Sequence, residues 1–365
     1  MSVTALALVT NALTPTMSYA APASKLKAAA FTFALWSDMP YVKNGDTTPS
    51  SATTPALDGT TDGKTAITRL TKSITDAKVS FTIFGGDTKD GSTQCTDKVI
   101  KDDATAMFNS LLIPTVYVPG DNEWTDCHRT NNGGYNNLER LKFLRETMFN
   151  TPKSFGGNVK TQLTLTRQTD YPENSRWTKG NVVFVTLNVP GSNNNKVNAS
   201  ECINAKSART QVECDADNAE YIARDAQNIA FMKESFQAAK DGAAAGVMIV
   251  IQADPVFDLP ETESVDERAT VVSTLAPHDG YDAFLATLIA ETKAFTGQVV
   301  LVHGDNHFFR VDKPLMQQTM KKTDLVKNLT RVENFGSPSN HWIKVTVTPT
   351  NSNVFTFEPM LVKGN

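Results

Sequence analysis

Apolar residues recur along the chain in short runs of strand length, separated by segments with helical spacing. AAFTFALW at 29–36 is the first run. Residues 64–78 follow, with Ile67, Leu70, Ile74 and Ala77 on one face of a helix. Val79–Phe84 is a second strand, closed by Gly85-Gly86, and 97–112 a helix with Val99, Ile100, Met107 and Leu111 inward. Ile113–Val118 is a third strand, ended by Pro119-Gly120, and 136–149 a helix striped by Leu138, Leu141, Leu144 and Met148. This β-α-β-α-β-α order predicts a parallel sheet with crossover helices. Beyond it, 181–189 (NVVFVTLNV) reads as a fourth strand, 190–200 as an Asn- and Ser-rich loop, and about 216–240 as a long amphipathic helix. Gly246–Ile251 and Gln298–Val302 read as further buried strands around a helix at about 280–294. The tail, with Trp342, Lys344, Thr346, Phe355 and Phe357, alternates as antiparallel strands do. No composition break or internal repeat divides the chain, so one α/β domain with two sheets is the simplest reading of 25–365.

The 365 residues carry 35 basic and 39 acidic side chains, a net charge of −4, and 40% hydrophobic residues. Disorder and fibrous repeats are excluded. With a pI near 5.8, a general duplex nucleic-acid binder is disfavoured. No stretch is long and apolar enough to span a membrane. Residues 1–24 lack charge, contain the apolar stretch Ala5–Val9 and end in small-residue strings, as the back half of a secretory leader does. The four cysteines agree with a secreted or periplasmic location. Sequence allows three pairings; Cys95–Cys127 and Cys202–Cys214 are preferred because each staples a loop.

The candidate chemistry lies just after the apolar strands. Asp38 follows the first in SDMPY and Asp87 the second in GGDTKDG. Asp121, Asn122 and Glu123 follow the third in PGDNEWTDCHR. Gln252 and Asp254 follow VMIVI, and His303, Asp305 and His307 follow QVVLV in HGDNHFFR. Open α/β sheets build sites at the carboxyl ends of their strands. A lone Gly-Asp there is more often a turn or a helix cap; the ordered set of five strand ends points instead to a metal or phosphate site.

That ordered set resembles the calcineurin-like metallophosphoesterase superfamily, in a divergent, exported bacterial branch, over roughly residues 31–313. The resemblance implies a four-layer α/β-β/α sandwich and two divalent metal ions. Asp38, Asp87 and His307 match ligands of the first metal. Asp87, Asn122, Gln252 and Asp305 would hold the second. Pro40 stands in place of the first motif's histidine, Glu123 in place of the catalytic histidine, Gln252 in place of the lone histidine, and Asp305 in place of the first histidine of the last motif. Of the candidate metals Mn, Mg, Ca, Fe and Zn, the resulting oxygen-rich set favours hard cations and suits Mg, Mn or Ca better than Zn. His128 or Glu123 then stands in as the catalytic acid. Lys89, Arg129, Arg310 and His303 are candidate substrate-binding residues. The implied activity is metal-dependent hydrolysis of a phosphate mono- or diester on a small phosphorylated substrate. A non-catalytic relative that binds a phosphorylated ligand or a partner, and an extracellular nuclease, are the alternatives.

Overall fold

The computed structural model describes Met1 and residues 29–41, 63–255, 279–314 and 326–365. Residues 2–24 of the expected leader lie outside these residues.

The chain forms a mixed α/β structure with two mixed sheets. In the first sheet, β1 (Phe31–Trp36), β2 (Thr82–Phe84) and β3 (Thr115–Tyr117) run parallel, and β11 (Trp342–Val347) and β12 (Phe355–Met360) add antiparallel strands in the order β12-β11-β1-β2-β3. The second sheet has the order β4-β5-β6-β7-β8-β10-β9. Its parallel centre is β6 (Val182–Thr186), β7 (Gly246–Val250), β8 (Gln298–His303) and β10 (Leu329–Glu333). The antiparallel flanks are β4 (Thr166–Gln168) and β5 (Tyr171–Lys179) on one side and β9 (Arg310–Asp312) on the other.

The sheets pack face to face through interlocked aromatics. Phe33 stacks on Phe81 at 4.8 Å between ring centres, and Phe184 of the second sheet meets Phe33 edge-on at 5.3 Å and stacks on Trp177 at 5.2 Å. Rings of this kind bury the largest apolar areas available to a core and add directional contacts. Trp36 and Trp124 are fully buried, which makes them core aromatics rather than pocket walls.

Helices cover the outer faces. Helix α1 (Gly63–Asp76) buries Ile67, Leu70 and Ile74. Helix α2 (Ala104–Asn109) is entered through a π-helical turn at Lys98–Asp103, where uniform helix was expected. Helix α3 (Asn137–Thr147) is capped by Asn136, which accepts from Glu139 N at 2.9 Å. On the second sheet lie the 31-residue helix Gln211–Asp241 and the helix Asp282–Lys293, which share a core with Val185, Ile249 and Leu301. The long helix starts five residues before its predicted boundary because Thr210 and Glu213 form a reciprocal capping box.

Both disulfides form as preferred. Cys95–Cys127 ties the segment after β2 to the loop after β3, and Cys202–Cys214 closes the insert before the long helix.

Candidate active site

The carboxyl ends of β1, β2, β3, β7 and β8 converge where the two sheets meet. The first turn after β1 is fixed by backbone bonds: Asp38 N donates to Gly86 O at 2.9 Å and Ser337 N donates to Asp38 O at 2.8 Å. Across the sheets, Asp305 N donates to Asp38 Oδ1 at 3.1 Å. Gly304 N donates to Gln252 O at 2.9 Å. Asn122 contacts Asp87 twice, through its backbone N at 3.2 Å to Oδ1 and its Nδ2 at 2.8 Å to Oδ2.

Four of the converging residues adopt left-handed backbone conformations: Asp38 (φ 52), Asp87 (φ 60), Asp305 (φ 77) and His307 (φ 69). Such geometry is uncommon away from glycine and costs on the order of 1 kcal/mol or more each; its concentration here marks a site. Glycines make the necessary room. A Cβ at Gly304 would lie 2.0 Å from Asp38 Oδ2, and one at Gly120 would lie 2.0 Å from Asp87 Oδ1. Gly336 similarly admits the His307 ring, and Gly191 the Asp121 carboxylate.

His307 Nδ1 is 2.7 Å from Ser337 O, so it carries the proton and donates. Its bare Nε2 therefore faces Asp38 Oδ1 at 3.6 Å, with the Tyr41 hydroxyl 3.4 Å away. Tyr41 also reaches Asp87 Oδ2 at 3.4 Å. A backbone carbonyl that fixes the tautomer is the usual support of a metal-binding imidazole.

The cluster crowds buried acids together. Asp38 and Asp87 are buried, and their carboxyls are pushed well above the ordinary range, first by burial and then by neighbouring acids. The strongest charged neighbours of Asp87 are Asp121, Glu123, Asp38 and Asp305. Asp121, quoted in the sequence motif but given no role there, is raised in the same way by burial and by Asp126 and Asp305. Asp305 is pushed up to about 6 by burial. Asn334, at the end of β10, adds a buried carboxamide whose two polar atoms make no hydrogen bond. Its Nδ2 lies where a Cβ on Gly85 would be 3.0 Å away.

The other candidates fall elsewhere. Glu123 lies beneath the cluster: its carboxylate accepts from Asp87 N at 3.2 Å, Gly120 N at 2.7 Å, Thr88 Oγ1 at 2.7 Å and Thr88 N. With four donors converging on it, it organises two loops. His128 hydrogen-bonds Ser207 Oγ at 3.1 Å, and burial, with Arg209 and Arg129, pushes its pKa down to about 3. It is neutral at pH 7 and holds no spare proton. Lys89 is fully buried and donates to Asp90 O at 3.0 Å. Arg310 forks onto Glu333 Oε2 at 2.8 and 2.7 Å. His303 is fully buried, its Nδ1 3.0 Å from Gly304 O. Donor atoms of Asp254, His303 and Glu333 lie within 4.8 Å of one another, the one such group of histidine and acid donors among the described residues. Asn306 Nδ2 and Arg310 engage its two acids.

Of the proposed substrate-binding residues, Arg129 lines a cavity. It pairs with Asp126 at 2.6 Å and donates to Ser192 Oγ at 3.2 Å. Together they line a cavity of about 680 Å³ that also exposes His128, Lys196, Lys206 and Arg209. Ser192 reaches Asp121 Oδ2 at 3.2 Å and so joins cavity to cluster. Its loop is held by the buried Arg224 of the long helix, which donates to Asn188 O at 2.7 Å, Asn194 Oδ1 at 2.6 Å and Asn194 O at 2.8 Å. Asn188 itself is buried in that network, away from solvent.

No protein-family model matches the chain, and neither does any curated protein. Among solved structures, the chain is similar at 10% identity and a TM-score of 0.40 to the sulfate thiohydrolase SoxB of Thermus thermophilus in complex with glycerol, over 91% of this chain and 56% of that one. It is similar at the same identity and TM-score to a 5'-nucleotidase from Candida albicans, over 90% of this chain and 50% of that one. The chain thus spans about half the length of these structures.

Proposed function

We propose that the chain is a divalent-cation-dependent hydrolase of phosphate esters, of the calcineurin-like metallophosphoesterase type, that acts on small substrates in an exported compartment. The observation that carries the reading is the meeting of buried Asp38, Asp87 and Asp121 and half-buried Asp305 with the bare Nε2 of His307 at the ends of both sheets. Asp38, Asp87 and His307 would hold a cation, with the Tyr41 hydroxyl as a neighbouring oxygen. Bound there, a divalent ion polarises a phosphoryl oxygen and lowers the pKa of a water.

The chain's own residues do the rest. Arg129 and Ser192 face the cavity beside Asp121 and orient the phosphoryl oxygens, a task that suits the planar, five-donor guanidinium. The cavity suits a small molecule in size, and Arg129, Lys196, Lys206 and Arg209 line it together with the acids Asp126 and Glu201. Neither Glu123 nor His128 stands ready to protonate a leaving oxygen. This favours substrates whose leaving group departs without a proton, such as aryl esters and phosphoanhydrides, over simple alkyl esters. That neither of these two residues is poised as an acid supports a second reading, a non-catalytic binder of phosphorylated ligands. The two disulfides and the uncharged N-terminal residues support export.

The deciding experiment assays mono- and bis-p-nitrophenyl phosphate with Mn, Mg, Ca and Zn, beside Asp87→Ala. Metal-dependent turnover that the variant loses supports the hydrolase. Phosphate binding without turnover of either ester selects the binder. Turnover unchanged in Asp87→Ala overturns this site assignment.

A further inference from the structure

We propose that this chain holds a single cation, because the side-chain amide of Gln252 occupies the position a second one would need. The inference rests on the hydrolase reading and departs from the two-ion expectation that the resemblance carries.

Gln252 follows β7 and is fully buried. Its Oε1 accepts the backbone N–H of Gly191 at 2.6 Å. A backbone N–H can only donate, so this bond fixes which end of the amide is oxygen. The Nε2 therefore points the other way, into the acids. It lies 3.1 Å from Asp87 Oδ2, 3.3 Å from Asp121 Oδ1 and 3.3 Å from Asp305 Oδ1. Three carboxylates from the ends of three different strands surround one nitrogen.

These carboxylates belong where a second ion would sit, between the strand ends of the two sheets. An ion among them would draw their oxygens to roughly 2.0–2.6 Å. An amide nitrogen at hydrogen-bonding distance from all three fills that space. Its two N–H groups supply partial positive charge and no net charge. Its stem lies close against two glycines: a Cβ added at Gly86 or Gly120 would lie 2.6 or 2.8 Å from its Cγ. With its oxygen spent on Gly191 and its nitrogen on the acids, Gln252 offers no ligand atom to a metal. The Nδ2 of Asn122 also faces Asp87, at 2.8 Å. Arg129, paired with Asp126 at 2.6 Å, places a positive charge on this side of the cluster.

Equilibrium dialysis of the full chain against Mn²⁺, followed by metal analysis and electron paramagnetic resonance, tests this. The wild type should hold one Mn²⁺ with the six-line spectrum of an isolated ion. Asp121→Asn should leave that count at one, and Asp38→Asn should abolish it. Gln252→Ala, which vacates the position between the three carboxylates, should hold two ions with an exchange-coupled spectrum. Two coupled ions in the wild type would overturn the inference whether or not the variant folds. A folded Gln252→Ala variant that still holds one ion would overturn the role given to the amide. No bound Mn²⁺ and no metal-dependent turnover in the wild type would remove the hydrolase reading itself and this inference with it.

Discussion

The Nδ1–H of His307 rests on the Ser337 carbonyl at 2.7 Å, and this one bond turns the opposite nitrogen toward Asp38. Replacing His307 with Ala removes the only nitrogen donor assigned to the cation. Affinity for Mn²⁺ should fall at least about tenfold, or about 1.4 kcal/mol, with little change in thermal stability, because the ring is partly exposed. Titration calorimetry beside a melting curve separates the two effects. Unchanged affinity would mean that the ion lies elsewhere.

Gly120 and Gly304 are predicted to be intolerant of even one methyl group. An added Cβ would meet Asp87 Oδ1 or Asp38 Oδ2 at 2.0 Å. Overpacking at a confined position costs about 1–3 kcal/mol, and here it also displaces an assigned ligand. Gly120→Ala and Gly304→Ala should each lower both Tm and cation affinity. Gly242→Ala, whose nearest neighbour would be 3.2 Å away at a helix end, should lower neither by a comparable amount.

Glu123 is predicted to matter for stability more than for the pH profile. Its carboxylate accepts four donors from the loops after β2 and β3. In Glu123→Gln one of those donors must face an NH2 group. Breaking a buried charged network in this way costs about 3–5 kcal/mol. Denaturant unfolding should show the loss. A variant of wild-type stability whose kcat has lost its dependence on a basic pKa would instead restore Glu123 as the acid.

Metal-free protein is predicted to lose stability as pH rises. The folded-state pKa of Asp305 is about 6, as is that of Asp217 beside Arg209, against an ordinary value of 3.8. Between those values the folded chain binds more protons than the unfolded one. The stabilisation is present in full below the unfolded pKa and is lost as pH rises through about 6. Chelated protein should therefore melt at a higher temperature at pH 5 than at pH 7. Divalent cations should recover the difference at pH 7, where they bind the ionised cluster. Equal melting temperatures at the two pH values would contradict the assignment.

Loss of the Cys95–Cys127 bridge should loosen the Asn122 loop. The two cysteines are 32 residues apart in sequence, and Asn122 O lies 3.5 Å from Cys95 Sγ and 3.8 Å from Cys127 Sγ. A loop of that size is worth about 3–4 kcal/mol in the unfolded-chain entropy model. The Cys95→Ser, Cys127→Ser double variant should unfold at correspondingly lower denaturant and bind phosphate more weakly. Retention of full stability would show that the loop is held by its other bonds alone.

The strands that feed the site were legible because they are buried on both faces and read as unbroken apolar runs: FTFALW, VVFVT, GVMIV and QVVLV. The strands β5 and β10 were not legible. YPENSRWTK and LTRVE look like surface, yet Glu173, Asn174, Arg331 and Glu333 are all buried. Their charges are matched by Arg145, Asp312 and Arg310, partners that lie 28, 19 and 23 residues away in sequence. Pairing at that range leaves no periodic trace. The same reason hides the orientation of Gln252, which is decided by Gly191, 61 residues earlier. Asp121 was in plain view in PGDNEW but sat beside a more familiar asparagine. Tyr41 stands in SDMPY and Ser192 in the Asn- and Ser-rich segment, but only the fold brings either to the cluster.

The left-handed backbone at Asp38, Asp87 and Asp305 restricts how this chain can evolve. Asparagine tolerates that conformation, as aspartate does, and glycine enters it freely, whereas longer or branched side chains are penalised there. Drift at these positions is therefore channelled toward Asn and Gly, and each such step discards a negative charge. Glutamate keeps the charge but carries an extra methylene into a space already walled by glycine backbones. A lineage that loses its cation in this way has no short route back through a longer acid.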